Sequence, residues 1–126
     1  MDWQTICIID NKDGKDITDD VLSIRRDDYT SRYCITFANS SIEFQYGLNR
    51  ITYFKNPIQL DLRGNLIFIQ GKLHPEIKMI LRFNNWCKIL NCNGTRSTIP
   101  YTDIQFIKDR RTEKSISAMI DYLIEA

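Results

Sequence analysis

Two stretches of this chain repeat the same order of residue types at a constant spacing, and an internal repeat constrains the fold more than other sequence features do. Residues 33–34 (Tyr-Cys) match residues 86–87 (Trp-Cys), and residues 51–55 match residues 104–108, so both matches share an offset of 53 residues. A shared offset is expected when one structural unit occurs twice. We therefore predict two similar units in tandem, with Cys34 and Cys87 at the same position in each unit.

Hydrophobic alternation predicts that both units are built from strands. Tyr33, Ile35 and Phe37 alternate with small or polar residues, as in a strand with one buried face. The sequence Asn93-Gly94 is typical of a tight hairpin turn, because glycine accepts a positive φ. The predicted strands span residues 4–9, 21–26, 32–37, 42–46 and 51–55 in the first unit, and 66–70, 78–83, 86–90, 98–101 and 104–107 in the second. Strand 86–90 carries apolar residues on both faces, so we expect both faces to be covered.

The fold class predicted from this pattern is mainly β: two tandem SH3-like units, each a β meander or barrel, followed by a C-terminal α-helix. The helix is predicted because apolar residues recur at the i, i+3, i+4 and i+7 positions of an amphipathic helix, at Ile116, Met119, Ile120 and Leu123. The expected boundaries are residues 1–57 for the first unit, 58–111 for the second and 112–126 for the helix.

Composition places the chain among ordinary globular proteins. It has 126 residues, of which 43% are hydrophobic and 26% charged, values close to those of average domains. Apolar runs are far shorter than the roughly 20 residues that cross a bilayer, and the first residues show no signal-peptide pattern. We therefore expect a cytoplasmic protein with no membrane partner. The 17 basic and 16 acidic residues give a net charge of +1, which provides no overall attraction to nucleic acid.

The sequence assigns no catalytic, cofactor-binding or metal-binding residue. The four cysteines lie in strand-like segments, so free thiols are expected, and Cys87 and Cys92 with the single His74 lack the spacing of a zinc site. The acidic stretch 10–20 lacks the first carboxylate of a calcium loop, and Gly71-Lys72 lacks the upstream glycine of a phosphate loop. Because no nucleophile, base and anion-binding group converge, an enzyme is the least supported function.

Basic residues interleaved with aromatic residues form a candidate nucleic-acid surface. In small β-barrels, exposed aromatic rings stack on bases while arginines follow the phosphates, and we assign that role to Arg25, Arg26, Arg110 and Arg111. The alternative is that the repeated aromatic residues are core and the basic residues are a solvated face. The nucleic-acid hypothesis predicts binding that weakens steeply with salt and when these arginines are neutralised.

The chain resembles the N-terminal region of large bacterial superfamily 1 helicases of the AAA-domain type. The residues that carry the resemblance are 17–26, the strand 86–89, the turn 93–94 and residues 101–104. The resemblance covers nearly the whole chain and implies that the ATPase motifs lie beyond Ala126. It therefore implies no helicase catalytic residue here, and it implies that downstream helicase domains of the same polypeptide are partners.

Two function classes follow from these features. The first is a non-catalytic accessory domain of a bacterial superfamily 1 helicase, which positions nucleic acid or a partner. The second is a free-standing protein-interaction module that binds a peptide or another subunit through an exposed sheet edge. A coding sequence that continues past Ala126 into a phosphate loop would favour the first class, and a stop codon would favour the second.

Overall fold

The computed structural model describes residues 1–110, and these residues are mainly β. The predicted helix 112–126 and Arg111 lie outside the described residues. In the first half of the chain (residues 1–57) the strands are β1 (Ile6–Asp10), β2 (Lys15–Asp16), β3 (Val21–Asp27), β4 (Arg32–Phe37), β5 (Glu43–Gly47) and β6 (Ile51–Lys55). In the second half (residues 58–110) they are β7 (Ile58–Gln59), β8 (Asn65–Ile69), β9 (Lys72–Leu73), β10 (Ile77–Phe83), β11 (Trp86–Asn91), β12 (Arg96–Pro100) and β13 (Ile104–Lys108). Short 3-10 turns, Thr18–Asp20 and Tyr101–Asp103, precede β3 and β13.

The strands form four small antiparallel sheets, in the orders β2-β1-β6, β3-β4-β5, β13-β8-β9 and β12-β11-β10-β7. In each half the first long strand pairs with the last, β1 with β6 and β8 with β13. The strands between them form a meander, β3-β4-β5 and β10-β11-β12. The pairings therefore follow the same order in both halves.

The long strands lie where alternation predicted them, with ends that differ by at most two residues. The short strands β7 and β9 were not predicted, because two residues are too few to show a periodicity. The predicted closure into barrels is not observed. A barrel needs a continuous hydrogen-bonded ladder around its circumference, and within residues 1–110 no ladder joins the two sheets of either half.

Turn residues with positive φ fix the hairpins. Gly14 (φ 70°) lies in the turn between β1 and β2, and Gly94 (φ 87°) lies in the turn between β11 and β12. Asn84 (φ 54°) occupies the two-residue turn between β10 and β11. Glycine and asparagine adopt this left-handed conformation at low cost, so the turn chemistry of the sequence sets the strand boundaries.

Each half has its own hydrophobic cluster. The first-half cluster consists of Ile8, Val21, Tyr33, Ile35 and Ile51. The second-half cluster consists of Ile67, Ile80, Cys87, Ile89 and Ile104. The prediction that Cys34, Cys87, Ile51 and Ile104 are buried is confirmed.

A third cluster, the junction cluster, lies between the halves. It contains Cys7 and Ile9 of β1 and Leu81 and Phe83 of β10. Because successive side chains of a strand point to opposite faces, β1 directs Ile8 into the first-half cluster and its neighbours into the junction. The two halves are therefore packed against each other through apolar side chains.

The expectation that Cys34 and Cys87 occupy the same position is wrong. Tyr33 and Ile35 face the first-half cluster, so Cys34 between them points to the other face of the sheet. Cys87, in contrast, is a member of the second-half cluster. A shift of one residue along a strand moves every side chain to the opposite face of the sheet. The matching residue types gave no sign of that shift, because an aromatic residue precedes a cysteine in both strands. Comparison of the pairings places Tyr33 with Cys87 and Cys34 with Lys88.

Candidate binding surface

Lys88 is fully buried, and its contacts join the two halves. It lies in β11, whose other face lines the second-half cluster, so its side chain points toward the first half. The ammonium Nζ donates hydrogen bonds to the carbonyl oxygens of Trp3 (2.7 Å) and Ile6 and to Oγ1 of Thr18 (3.1 Å). All three acceptors belong to the first half. The prediction that this strand is covered on both faces is confirmed, but the buried residue on one of those faces is a lysine.

Asp16 supplies the counter-charge to Lys88. Its Oδ2 lies 3.3 Å from Nζ of Lys88 and accepts a hydrogen bond of 2.6 Å from Oγ1 of Thr98. Its Oδ1 accepts hydrogen bonds from the backbone N–H (2.9 Å) and the hydroxyl of Thr18. Burial alone would raise the pKa of Asp16, but the hydrogen bonds from Thr18 and Thr98 and the charge of Lys88 outweigh burial and lower that pKa. Burial lowers the pKa of Lys88, and the neighbouring carboxylate of Asp16 opposes the shift.

This polar network is satisfied internally, which indicates a structural role. Within residues 1–110, every buried side-chain nitrogen and oxygen has a hydrogen-bond partner. Both oxygens of Asp16 and the donors of Lys88 are already engaged. A catalytic acid or base needs a lone pair or proton directed at a substrate, and these two groups direct theirs at the protein.

A surface cleft of about 400 Å³ opens beside the network. The cleft is lined by Trp3, Gly14, Lys15, Asp16, Asp19, Arg96, Ser97 and Thr98. The guanidinium of Arg96 lies 5.0 Å from the ring centroid of Trp3 and 3.4 Å from a carboxylate oxygen of Asp19. These contacts again join the second half to the first. The cleft therefore marks the seam between the halves, where Arg96 pairs with Asp19 and Asp16 pairs with the buried Lys88.

The four cysteines are free thiols, as the sequence predicted. Cys7, Cys34 and Cys87 are buried and Cys92 is exposed. Burial raises the pKa of Cys7 to about 12 and that of Cys87 to about 11. Since the thiolate is the reactive form, these two buried cysteines are poor nucleophiles and act as small core residues.

The β3–β4 hairpin presents the most exposed of the large hydrophobic side chains among the described residues. Its loop spans residues 28–31, two residues more than the turn of the corresponding β10–β11 hairpin. The loop carries Tyr29, which is 98% exposed. Oδ1 of Asp27 accepts hydrogen bonds from the backbone N–H groups of Tyr29 (3.0 Å) and Thr30 (3.3 Å), and those bonds lower the pKa of Asp27. These hydrogen bonds hold the loop backbone in a turn, while the tyrosine ring remains exposed to a partner.

The structure separates the four arginines that the sequence grouped together. Arg25 and Arg26 are adjacent in β3 and so point to opposite faces of its sheet. Arg110 follows β13 in the second half and is exposed, whereas Arg111 lies outside the described residues. The role of these arginines in nucleic-acid binding stays a prediction.

Carboxylates neutralise the arginines of the hairpin. Arg25 lies 3.0 Å from a carboxylate oxygen of Glu43, and Arg26 lies 2.8 Å from one of Asp28. Together with Arg32 and Asp27, the hairpin and its neighbour β5 thus carry three arginines and three carboxylates. Phosphate binding depends on excess positive charge, and this surface has none.

Some of the interleaved basic and aromatic residues contact each other within the protein. The guanidinium of Arg82 lies 3.7 Å from the ring centroid of Tyr101, and the guanidinium of Arg50 lies 5.4 Å from that of Tyr46. A ring covered by a cation on one face offers less area for a stacked base. The interleaving seen in the sequence therefore arises at least in part from cation–π contacts within each half.

Of the two residues that the structure makes prominent, the sequence pointed only to Tyr29, as one of the aromatic residues interleaved with the basic residues. Lys88 gave no signal, because its partners Asp16 and Thr18 are distant in the chain and a lysine in a strand is usually solvated. Tyr29 had a weak signal: the hairpin of the first half is longer than that of the second, and a long turn is a common place for an exposed functional residue.

The described residues define a mainly β protein of small antiparallel sheets, in which two similarly paired halves share a buried polar and apolar junction. Comparison with known protein families, with curated proteins and with solved structures finds no match to this chain. Within residues 1–110, no helix has the length and apolar character that crossing a membrane requires.

Proposed function

We propose that this chain is a non-catalytic binding module, made of two SH3-like units, that positions a partner for a larger assembly. The observation that carries the proposal is the β3–β4 hairpin, where an ordered loop presents Tyr29 almost fully exposed. Tyrosine on a fixed loop suits recognition, because it contributes a large contact area and loses little conformational entropy on binding. The resemblance to the N-terminal region of superfamily 1 helicases supplies the context: an accessory domain next to a downstream motor.

The non-catalytic part of the proposal is supported by how the polar groups are used. Lys88 and Asp16 have shifted pKa values, which are common at active sites, yet both hold the two halves together. The buried thiols of Cys7 and Cys87 are shifted toward the unreactive form. These groups therefore stabilise the scaffold that presents the hairpin.

A protein partner is favoured over nucleic acid by the charge balance of the hairpin. The phosphates of a nucleic acid attract a basic surface, whereas here three carboxylates balance the charge of three arginines, two of which form ion pairs with them. A protein surface can match such mixed charges with its own residues of both signs. Nucleic acid remains the second candidate, supported by the exposed ring of Tyr29 in a hairpin that also carries Arg26 and Arg32.

A photo-cross-linking residue at position 29 tests both candidates in one experiment. We expect a discrete protein adduct when Tyr29 is replaced by a photoreactive phenylalanine derivative in the complete protein in its host cells. The same residue placed at Asn93, in the exposed turn of the second half, is the matched control.

Three outcomes of the cross-linking experiment are informative. A protein adduct at 29 that is absent at 93 supports the proposal. A nuclease-sensitive adduct, with affinity for single-stranded DNA that falls with salt and with neutralisation of Arg25 and Arg26, identifies nucleic acid instead. Equal adducts at both positions, or none, show that the hairpin is not the contact surface.

A further inference from the structure

The outer edge of β10 in the second half is paired with the linker strand β7. Leu81 lies opposite Gln59 and Arg82 opposite Ile58. The backbone N–H of Leu60, directly after β7, donates a hydrogen bond of 3.0 Å to the carbonyl oxygen of Ile80. The side chain of Leu60 packs against the second-half cluster. An extended segment with an apolar–polar–apolar sequence is thus bound along this edge.

The strand of the first half that corresponds to β10 is β3, and its pairing confirms the correspondence. β3 pairs with β4 as β10 pairs with β11, and both ladders carry a register shift near the start, at residues 21–23 and 77–79. Ile24 lies opposite Ile35, as Ile80 lies opposite Ile89. The backbone N–H and C=O groups of Ile80 and Arg82 point away from β11, toward β7. By the same register, those of Ile24 and Arg26 point away from β4, toward the outer edge of β3.

No strand pairs with the outer edge of β3 within residues 1–110. The N-terminal ammonium of Met1 donates hydrogen bonds to the carbonyl oxygens of Thr18 (3.0 Å) and Val21 (2.7 Å), so it covers the beginning of this edge. The remainder, from Ile24 to Asp27, carries the exposed side chains of Arg25 and Arg26. A strand edge with unpaired N–H and C=O groups is a template for another extended segment.

We propose that the β3 edge binds an extended peptide of a protein partner by antiparallel strand addition, in the way that β7 binds to β10. The proposal rests on the binding function above and names the partner's chemistry: an apolar residue opposite Ile24 and an acidic residue opposite Arg25. Ile24 packs against the first-half cluster, and Ile80 belongs to the second-half cluster. A peptide residue opposite Ile24 therefore meets an apolar surface. Arg25 takes the place of Leu81. Its guanidinium lies 3.0 Å from a carboxylate oxygen of Glu43, its side chain is 59% exposed, and its remaining N–H donors can bind a second carboxylate where β7 has Gln59.

Amide hydrogen exchange measured by NMR on the complete chain tests whether the edge is free. We expect the amides of Ile24 and Arg26 to exchange quickly in the free protein, while the amide of Ile35 in the central strand is protected. Slow exchange at Ile24 and Arg26 before any peptide is added would show that the edge is already covered, and would overturn the proposal.

The probe is a synthetic peptide with the sequence of residues 55–63 and the change Gln59→Glu, which reproduces β7 with an acidic centre. We expect it to slow exchange at Ile24 and Arg26 severalfold, and a scrambled peptide of the same composition to have no effect. Binding that leaves these two amides unprotected, or no binding, would contradict strand addition.

Two substitutions at one position separate backbone pairing from charge. Arg26→Pro removes the outward N–H, whereas Arg26→Thr removes the same charge and keeps the N–H. We expect the proline variant to bind the peptide about tenfold more weakly than the threonine variant, since it loses one hydrogen bond. Equal affinity of the two folded variants would exclude pairing along this edge. If the edge fails these tests while the adduct at Tyr29 is found, the partner binds at the hairpin tip and only the strand-addition proposal is lost.

Discussion

At the scale of single residues, the unusual feature of this protein is a lysine with no exposure to solvent. Transferring an ammonium group into the interior is costly unless it is paired and hydrogen-bonded, and Lys88 has both a carboxylate and carbonyl partners. Removing one member of such a network leaves the others buried without partners. The energetic effect of a substitution at Lys88 should therefore exceed that of an ordinary core substitution of the same size.

We predict that Lys88→Met lowers the free energy of unfolding by about 3–5 kcal/mol, because it leaves the Asp16 carboxylate without its counter-charge and the carbonyl groups of Trp3 and Ile6 without the Lys88 donor. The double variant Lys88→Met, Asp16→Asn should lose less than the sum of the single variants, since it removes both charges. Urea unfolding followed by tryptophan fluorescence measures these values, and Trp3 and Trp86 both report on the junction.

The exposed Lys78 in β10 provides the matched control for Lys88. Lys78→Met should change the free energy of unfolding by less than about 0.5 kcal/mol, as surface substitutions usually do. If Lys88→Met is as mild as this control, the buried network does not stabilise the protein.

The lowered pKa of Asp16 predicts how its contribution depends on pH. In the unfolded chain the carboxyl group titrates near the ordinary value of about 3.9, and in the folded protein it titrates lower. The unfolded state therefore binds protons first as the pH falls, so the stabilisation is complete above about pH 5 and is lost as the pH falls through the folded pKa. The difference in stability between the wild type and Asp16→Asn should shrink from pH 5 toward pH 2. A difference that stays constant over this range would exclude the predicted role of the ionised carboxylate.

At the scale of strands, register decides what an apolar pattern means. The sequence aligned Cys34 with Cys87 because both follow an aromatic residue, whereas the ladders align Cys34 with Lys88. Both of these residues are buried on the face that points away from their own half's cluster. The matching residue types therefore indicated the correct strands, but they assigned the side chains of one strand to the wrong faces. A shift of one residue along a strand exchanges its two faces.

The strands also show where sequence was sufficient for the candidate site and where it was not. Alternation and turn residues placed the β3–β4 hairpin, including Arg25 and Arg26, at the correct residues. The separation of those arginines onto opposite faces and their pairing with Glu43 and Asp28 depend on the neighbouring strand and the loop geometry. The local sequence pattern therefore indicates where the two arginines lie in the chain, but not which carboxylates they pair with.

At the scale of the whole molecule, the two halves are joined by the junction cluster and by the Lys88 network. Cys7, Ile9, Leu81 and Phe83 form an apolar contact that neither half could bury alone. Arg96 and Asp19 add an ion pair at the surface of the same seam. This arrangement predicts that the halves unfold together, because opening the seam would expose both an apolar cluster and a buried charge pair.

The buried thiols test this cooperativity, since Cys34 lies in the first half, Cys87 in the second and Cys7 in the junction. We predict that all three react with a thiol reagent at the same slow opening-limited rate under native conditions, while Cys92 reacts at once. Mass spectrometry of the labelled peptides measures each rate separately. Faster labelling of Cys34 than of Cys87, or the reverse, would mean that one half opens without the other.

The sequence by itself determined the β class, the positions of the long strands, the turns and the burial of residues such as Ile51 and Ile104, because alternation and turn chemistry are local properties of the chain. Only the tertiary structure decided how the two halves pack. It also decided that the buried Lys88 links them and that carboxylates neutralise the arginines of β3. Those features depend on pairs of residues far apart in the chain, such as Asp16 with Lys88 across 72 positions (88 minus 16). A single sequence records each partner's type, but only folding brings the partners within hydrogen-bond distance.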